Sequence, residues 1–338
     1  MQDKIIELAL ELTRTTKNKI ADLDQIMLRT QILSMNARLE AARAGDVGKS
    51  FAIVAQEMGA VAQEVTALSS SLNAAIAENA SRIQSAGQDM AADFRGSRYA
   101  DLARNAVEIM DRNLYERSCD VRWWATDSAV VEALANPDPR RAAHAGERLG
   151  TILRSYTVYL DLWIADHNGR VVANGRPDTY ANAVGMDVSR VEWFRKGMDT
   201  EDGDSFAVCD VVCAKALGGA QVATYSTAIR EGGAADGRTL GVLGIFFDWQ
   251  PQAQAIVEGV SLSEDERRFS KVMLLDSKHR IIASTDPSAF GQTYPLKAEK
   301  PWGYNIESGK IVAYGLTPGY ETYRGLGWYG CIESLLEA

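Results

Sequence analysis

Cysteine and histidine are scarce in this chain, with four and three among 338 residues. So few cysteines exclude a disulfide-stapled secreted domain and are expected to be reduced. Cys209 and Cys213 stand four apart in CDVVC, which is not a standard zinc spacing, and only His144, His167 and His279 are present to complete a site. Structural or incidental roles are therefore expected for them, and no metal or cofactor. Cys119 and Cys331 are isolated and read as core.

Long apolar runs are missing as well. The best stretch, residues 240–247, contains two glycines and falls far short of the ~18 residues needed to cross a bilayer. The first twenty residues, MQDKIIELALELTRTTKNKI, carry acids through their apolar stripe, unlike a secretory signal. The expectation is a cytoplasmic protein. Positive charge is in deficit, with 36 Lys and Arg against 45 Asp and Glu and a net charge of −9. That balance argues against nucleic acid or an anionic membrane as partner. No nucleophile elbow, phosphate loop, zinc-protease helix or dinucleotide fingerprint occurs, so no catalytic residue and no enzyme are expected. Gly218 and Gly219 lack a following helix start and read as a loop.

What the chain does have is helix-forming sequence on both sides of one abrupt break. Good helix formers stop at Gly45 and resume at Ser50, leaving residues 45–49 as the tip of an antiparallel hairpin. Gly45 and Gly48 are both assigned the positive φ of the reversal. On the return arm Phe51, Val54, Met58, Val61, Val65, Leu68, Leu72 and Ala75 alternate steps of three and four, the pattern of a coiled-coil seam. On the outgoing arm the seam runs Ile20, Leu23, Met27 and then shrinks to Thr30, Ser34, Ala37, Ala41 and Ala44. By itself such a seam says only that the arms pack or dimerise.

Residues 33–58, LSMNARLEAARAGDVGKSFAIVAQEM, resemble the signalling tip of the methyl-accepting chemotaxis receptors. Matching positions include Asn36, Glu40 to Gly45, Phe51, Ala52, Val54, Ala55 and Glu57, with Arg38, Leu39, Asp46 and Ser50 as departures. The resemblance implies a dimeric four-helix bundle whose tips group as trimers of dimers and bind a histidine kinase and a coupling protein. By position, Glu40 and Arg43 become trimer contacts, and Asn36, Asp46 and Ile53, beside Phe51, face kinase or coupling protein. The family's longer arms carry methylated glutamates; arms of about 45 residues leave no room for that region, and methylation is expected to be absent.

Beyond the hairpin a helical pattern continues from 97 to about 134 and stops at Asn136-Pro137-Asp138-Pro139. A shorter helical pattern covers 140–156. Strands follow. Residues 159–166 and 171–174 flank an Asn-Gly turn, and further strands are expected at 205–212, 221–230 and 239–249. About 110 residues on, a strand-Asp-turn-strand unit recurs at 271–284, followed by strands at 310–316 and 325–333, an internal repeat of two modules.

This half resembles the double Cache sensor domain, a long helix followed by two PAS-like antiparallel β modules. The motifs are residues 162–173, Gly185 to Ser189 with Trp193-Phe194, residues 222–230 with 241–248, and 272–284. The expected fold class is thus α+β: a hairpin at 1–92, a connecting helix at 93–139, a first, ligand-holding module at 140–260 and a second at 261–338. In the family's amino-acid-binding branch, Trp193, Asp210 and Asp248 match the motif, Val191 stands in the arginine position beside Arg190, and Val208 replaces an aromatic. Tyr225 joins Trp193, Asp210 and Asp248 as a candidate ligand contact. The ligand is expected to be an amine or amino-acid-like compound, and two carboxylates without the arginine clamp favour a cationic or neutral amine over an ordinary amino acid. The plain alternative is that Trp193 is core and Asp248 ends a strand.

The leading functional expectation is a cytoplasmic chemoreceptor-like transducer that senses a small molecule and controls a chemotaxis kinase through the hairpin tip. The alternatives are an oligomerisation or array-docking protein with a non-binding sensor fold and, last, a metal or redox sensor on Cys209 and Cys213.

Overall fold

A computed structural model describes residues 2–336 and, for residues 2–6 and 9, the backbone alone. Met1, Glu337 and Ala338, the ends of the expected first and last segments, lie outside it. The chain divides into two compact units, 1–95 and 96–338.

The first unit is the hairpin. Helix α1 (Gln2–Arg43) leads through a tight 3-10 turn, Gly45–Gly48, into helix α2 (Lys49–Trp124). Gly45 takes φ +62°, the left-handed conformation that releases a helix end. Gly48 corrects the expectation: it has no positive φ, and its role is close packing. A Cβ there would lie 2.2 Å from the Ala41 carbonyl oxygen.

The arms are joined by small residues. Ser34, Ala41, Ala55, Ala62 and Ser69 are buried, and the Ser34 hydroxyl donates to the Ala55 carbonyl across the hairpin at 2.6 Å. A Cβ on Gly59 would meet Ser34 Oγ at 2.8 Å. The expected seam is divided as a result. Ala55, Ala62 and Ser69 turn inward, while their predecessors Val54, Val61 and Leu68 stay exposed. Seven-residue spacing keeps each row on one helical face.

The second unit begins with residues of the same helix, since Gly87 and Gly96 do not interrupt α2. The helical pattern expected through 134 is instead broken at 125–127, where Asp127 caps helix α3 (Ser128–Ala135) by accepting from the Ala129 amide. Helix α4 (Pro139–Ser155) has Asp138 as its cap and proline in its first turn.

Two five-stranded antiparallel sheets follow. The first contains β1 (Tyr159–Asp166), β2 (Val171–Asn174), β3 (Ala207–Ala214), β4 (Ala220–Arg230) and β5 (Thr239–Asp248), in the order β2-β1-β5-β4-β3. Helix α5 (Glu192–Met198) lies on one face of it, and helices α6 (Trp249–Gly259) and α7 (Glu264–Phe269) lead to the second sheet. There β6 (Ser270–Leu275), β7 (Ile281–Ser284), β8 (Trp302–Glu307), β9 (Lys310–Leu316) and β10 (Tyr329–Leu335) take the order β7-β6-β10-β9-β8.

The orders are identical position by position, and so are the hairpin turns. Asp166 accepts from the amides of Asn168 and Arg170, and Asp276 accepts from those of Lys278 and Arg280. Sequence reasoning missed β8 and the helices α5, α6 and α7. The edge strand β8 alternates weakly and begins at an exposed tryptophan.

Helix α2 serves both sheets. Gly315 and Gly330 admit it onto the second, where added Cβ atoms would lie 2.6 Å from Arg104 Cα and 2.1 Å from the Ala103 oxygen. Farther along, Trp124 meets Tyr159 of the first sheet edge to face at 5.4 Å.

Candidate functional site

The sensor half offers the face of the first sheet beneath α5. Alternation along the strands sends Trp163, Val222, Val242 and Phe246 to this face, and Leu162, Tyr225, Leu243 and Phe247 to the opposite one. Gly197 and Gly244 let α5 approach, and the Ser226 hydroxyl ties it down by donating to the Trp193 carbonyl at 2.7 Å.

Trp193 is buried on this face, edge to face with Phe194 and Phe246, its ring over Gly244. Asp248 sits on the same face as the last residue of β5; partial burial raises its carboxyl above the usual range, and the Arg176 guanidinium opposes that. Asp210 follows Cys209 at a bulge of edge strand β3, half exposed, 4.0 Å from Arg280 of the second module. Tyr225 is fully buried on the far face, stacked on Phe206, with its hydroxyl 3.4 Å from that of Tyr323. The structure therefore groups Trp193 with Asp248 and separates Tyr225 from both. Tyr225 cannot share a ligand with Trp193, because the sheet lies between them.

A polar cluster that sequence reasoning did not single out lies beside Asp248. Asp161 is completely buried and accepts five hydrogen bonds: from the amides of Leu162, Gly175 and Arg176, from Trp163 Nε1 at 2.8 Å and from Asn174 Nδ2 at 2.8 Å. Burial raises its carboxyl despite these donors. Asn174 Oδ1 is buried with no donor among the described residues. Burial raises the Tyr180 phenol, and nearby Asp161 and Asp248 add to this while Arg176 opposes it. Two carboxylates against one guanidinium, Arg176, give this cluster a negative excess. Its sequence signal was an aspartate on an inward position of an otherwise apolar strand, YLDLWIAD.

Two larger cavities open in this half, one of about 680 Å³ around Arg267, Lys271 and Lys310, away from this cluster, and one of about 930 Å³ between α4 and β2 whose lining includes the cluster's Asn174 and Gly175. Among the described residues no group of His, Cys, Asp and Glu could hold a metal. Cys209 is buried, its thiol pushed up to about 11, whereas Cys213 is exposed. A thiol so placed is a poor nucleophile.

At the hairpin tip, Glu40 and Arg43 pair with each other at 2.6 Å, and Asp46 pairs with Lys49 at 2.7 Å, all largely exposed. Asn36 is exposed too. Val47, Phe51 and Ile53 are 89%, 71% and 64% exposed. Val47 stands in the turn fixed by Gly45 and Gly48, and Phe51 and Ile53 follow at the start of α2; apolar side chains at such exposure are suited to protein contact.

Residues 9–111 match the family model of the methyl-accepting chemotaxis protein signalling domain. Chemoreceptor McpA of Caulobacter vibrioides is 52% identical over 44 residues, 13% of this chain and 7% of that protein. Methyl-accepting chemotaxis protein I of Escherichia coli is 36% identical over 88 residues, 23% of this chain and 16% of that protein. The chain thus spans a small fraction of these curated relatives. Among solved structures, the ligand-binding domain of the Pseudomonas aeruginosa amino acid chemoreceptor PctC, in complex with GABA, superposes with a TM-score of 0.55 at 18% identity, over 71% of this chain and 99% of that one. No described helix is long and apolar enough to cross a membrane. The chain therefore joins a segment that matches the methyl-accepting chemotaxis protein signalling domain to a double-Cache-type fold of the kind found in chemoreceptor ligand-binding domains.

Proposed function

We propose that this chain is a chemoreceptor-type transducer acting in the cytoplasm, in which the sensor half takes a small ligand and the hairpin tip engages a chemotaxis histidine kinase and its coupling protein. The observation that carries this reading is the exposure of the apolar residues Val47, Phe51 and Ile53 at and just beyond a turn that lies within the segment matching the signalling family. The exposed row Val54, Val61 and Leu68 supports pairing of two hairpins into a four-helix bundle, with trimers of dimers through Glu40 and Arg43.

For the ligand, the negative excess of Asp161 and Asp248 beside Tyr180 and Asn174 favours an amine or amino-acid-like compound. GABA in the PctC domain, an amine with a carboxylate, is the same chemistry in a similar fold. Trp193 reaches this region through Phe246, which also packs on Trp163, and Asp210 stands apart on edge strand β3, two strands from Asp248.

The test is capture of the cognate kinase and coupling protein by wild type and by Glu40→Ala and Ile53→Ala. Capture by wild type that is lost in both variants is expected; no capture by wild type overturns the reading. A second reading, an array-docking protein with a non-binding sensor, is favoured by one observation, the aromatic filling of the α5 face by Trp163, Trp193, Phe194 and Phe246. Calorimetry with a panel of amines and amino acids separates the two, since that reading expects no binding.

A further inference from the structure

Asp111 of α2 is 1% exposed, yet it forms no ion pair among the described residues. Its Oδ2 accepts the Gly319 amide at 2.7 Å, and its Oδ1 has no donor among the described residues. Gly319 belongs to the connection between β9 and β10, residues 317–328, which folds back on itself: Tyr320 and Tyr323 exchange amide-to-carbonyl hydrogen bonds at 2.8 Å, and the Thr317 amide donates to Trp328 at 2.8 Å. Positive φ at Gly319, Glu321, Gly325 and Gly327 makes that path possible.

This connection of the second module touches both α2 and the first module. Tyr320 meets Tyr115 of α2 edge to face at 5.4 Å and lies under the Arg112 guanidinium. Tyr323 stacks on Phe206 and reaches Tyr225 of the first sheet. The tie at Asp111 therefore bears on how α2, the first sheet and the second module pack together.

We propose that Asp111 is a proton-operated latch: in its neutral form it holds the 317–328 connection on α2, and on ionisation it loosens that contact, giving the sensor half a response to pH separate from any ligand in the first module. A buried carboxylate with one oxygen lacking any donor is costly, and hydrating it requires the connection to move. The surroundings agree. Of the charged and titratable groups on the elements around it, Glu108 on α2 and Tyr323 on the connection interact with its charge, with Tyr225 behind Tyr323; Glu108 repels a second negative charge, and Arg112 is engaged with Tyr320. Burial raises the Asp111 carboxyl to about 6.

The test is amide hydrogen exchange of the full chain between about pH 5 and about pH 7.5, corrected for intrinsic rates, in wild type and Asp111→Asn. Expected is a loss of protection in residues 317–328 of up to about tenfold in wild type, with strands β1 and β5 unchanged, and no pH dependence in the variant. Constant protection in wild type, or the same dependence in the variant, overturns the proposal. Should the variant not fold, the carboxyl carbon signal of Asp111 in wild type decides: a midpoint near 6 supports the latch, and a midpoint near the ordinary 3.8 ends it.

Discussion

The Tyr159 hydroxyl donates to Asp120 of α2 at 2.5 Å, with the Arg117 guanidinium over the Tyr159 ring at 5.3 Å. Three polar groups are thereby buried together where α2 meets the first sheet, and each relies on the others. Arg117 lies 3.3 Å from Asp120 and also covers Phe247 at 5.5 Å. Tyr159→Phe keeps the ring and its packing but leaves Asp120 with one partner fewer. The expected cost is about 1–3 kcal/mol in urea unfolding, the range for stranding a buried acceptor. Arg117→Met, which leaves the Asp120 charge uncompensated, is expected to cost more.

At the tip, the two glycines fail differently. Gly45→Ala places a Cβ in open space but forces a left-handed conformation, at about 1 kcal/mol. Gly48→Ala sets a methyl against the Ala41 carbonyl and must displace backbone. Its expected cost is about 1–3 kcal/mol or more, with partial opening of the turn. Exchange at amides 41–52 measures this, and Gly48→Ala should show the larger loss of protection.

The exposed row on the return arm predicts self-association. Val61→Glu together with Leu68→Glu leaves the inward residues Ala62 and Ser69 untouched. Sedimentation should give a dimer for the wild type and a monomer for the double variant, with helicity falling because unpaired arms are marginal.

Asp111 also predicts a pH dependence of global stability. Its carboxyl is raised in the folded chain from 3.8 to about 6, so the favourable contribution of its neutral form is fully present below about pH 3.8 and is lost as pH rises through about 6. Asp111→Asn cannot charge. It is expected to be more stable than the wild type above pH 7, by up to the order of 3 kcal/mol, and this advantage should vanish near pH 4. A variant less stable than wild type at pH 8 would contradict the assignment.

The hairpin was legible because its cues are local: helix formers, one break, and heptads. What escaped was the division of labour within the seam, since Val54 and Ala55 are neighbours in sequence and only the partner arm decides which turns inward. The same holds for Gly48, where spacing suggested a conformational need and the structure shows a steric one. In the sensor half the paired Asp turns at Asp166 and Asp276 were readable, because both the strand patterns and the turn residues repeat. Asp161 was not readable as the centre of a polar cluster, because four of its five donors come from the backbone or from residues beyond its own strand. Tyr225 was misplaced for a related reason. Alternation fixes which residues share a face, but not which face meets α5.

The identical order of the two sheets has a further consequence for α2. The β4–β5 connection of the first module comes against Thr126 through Gly233, and the equivalent β9–β10 connection of the second reaches Asp111 through Gly319. Asp111 stands thirteen residues before the end of α2 at Trp124, about 20 Å at helical rise, and Thr126 follows in the break just beyond. The helix is thus a ruler marked by the duplication. Inserting one residue between Asp111 and Arg117 would turn everything beyond it by about 100°. Both modules would stay intact, but they would be out of phase.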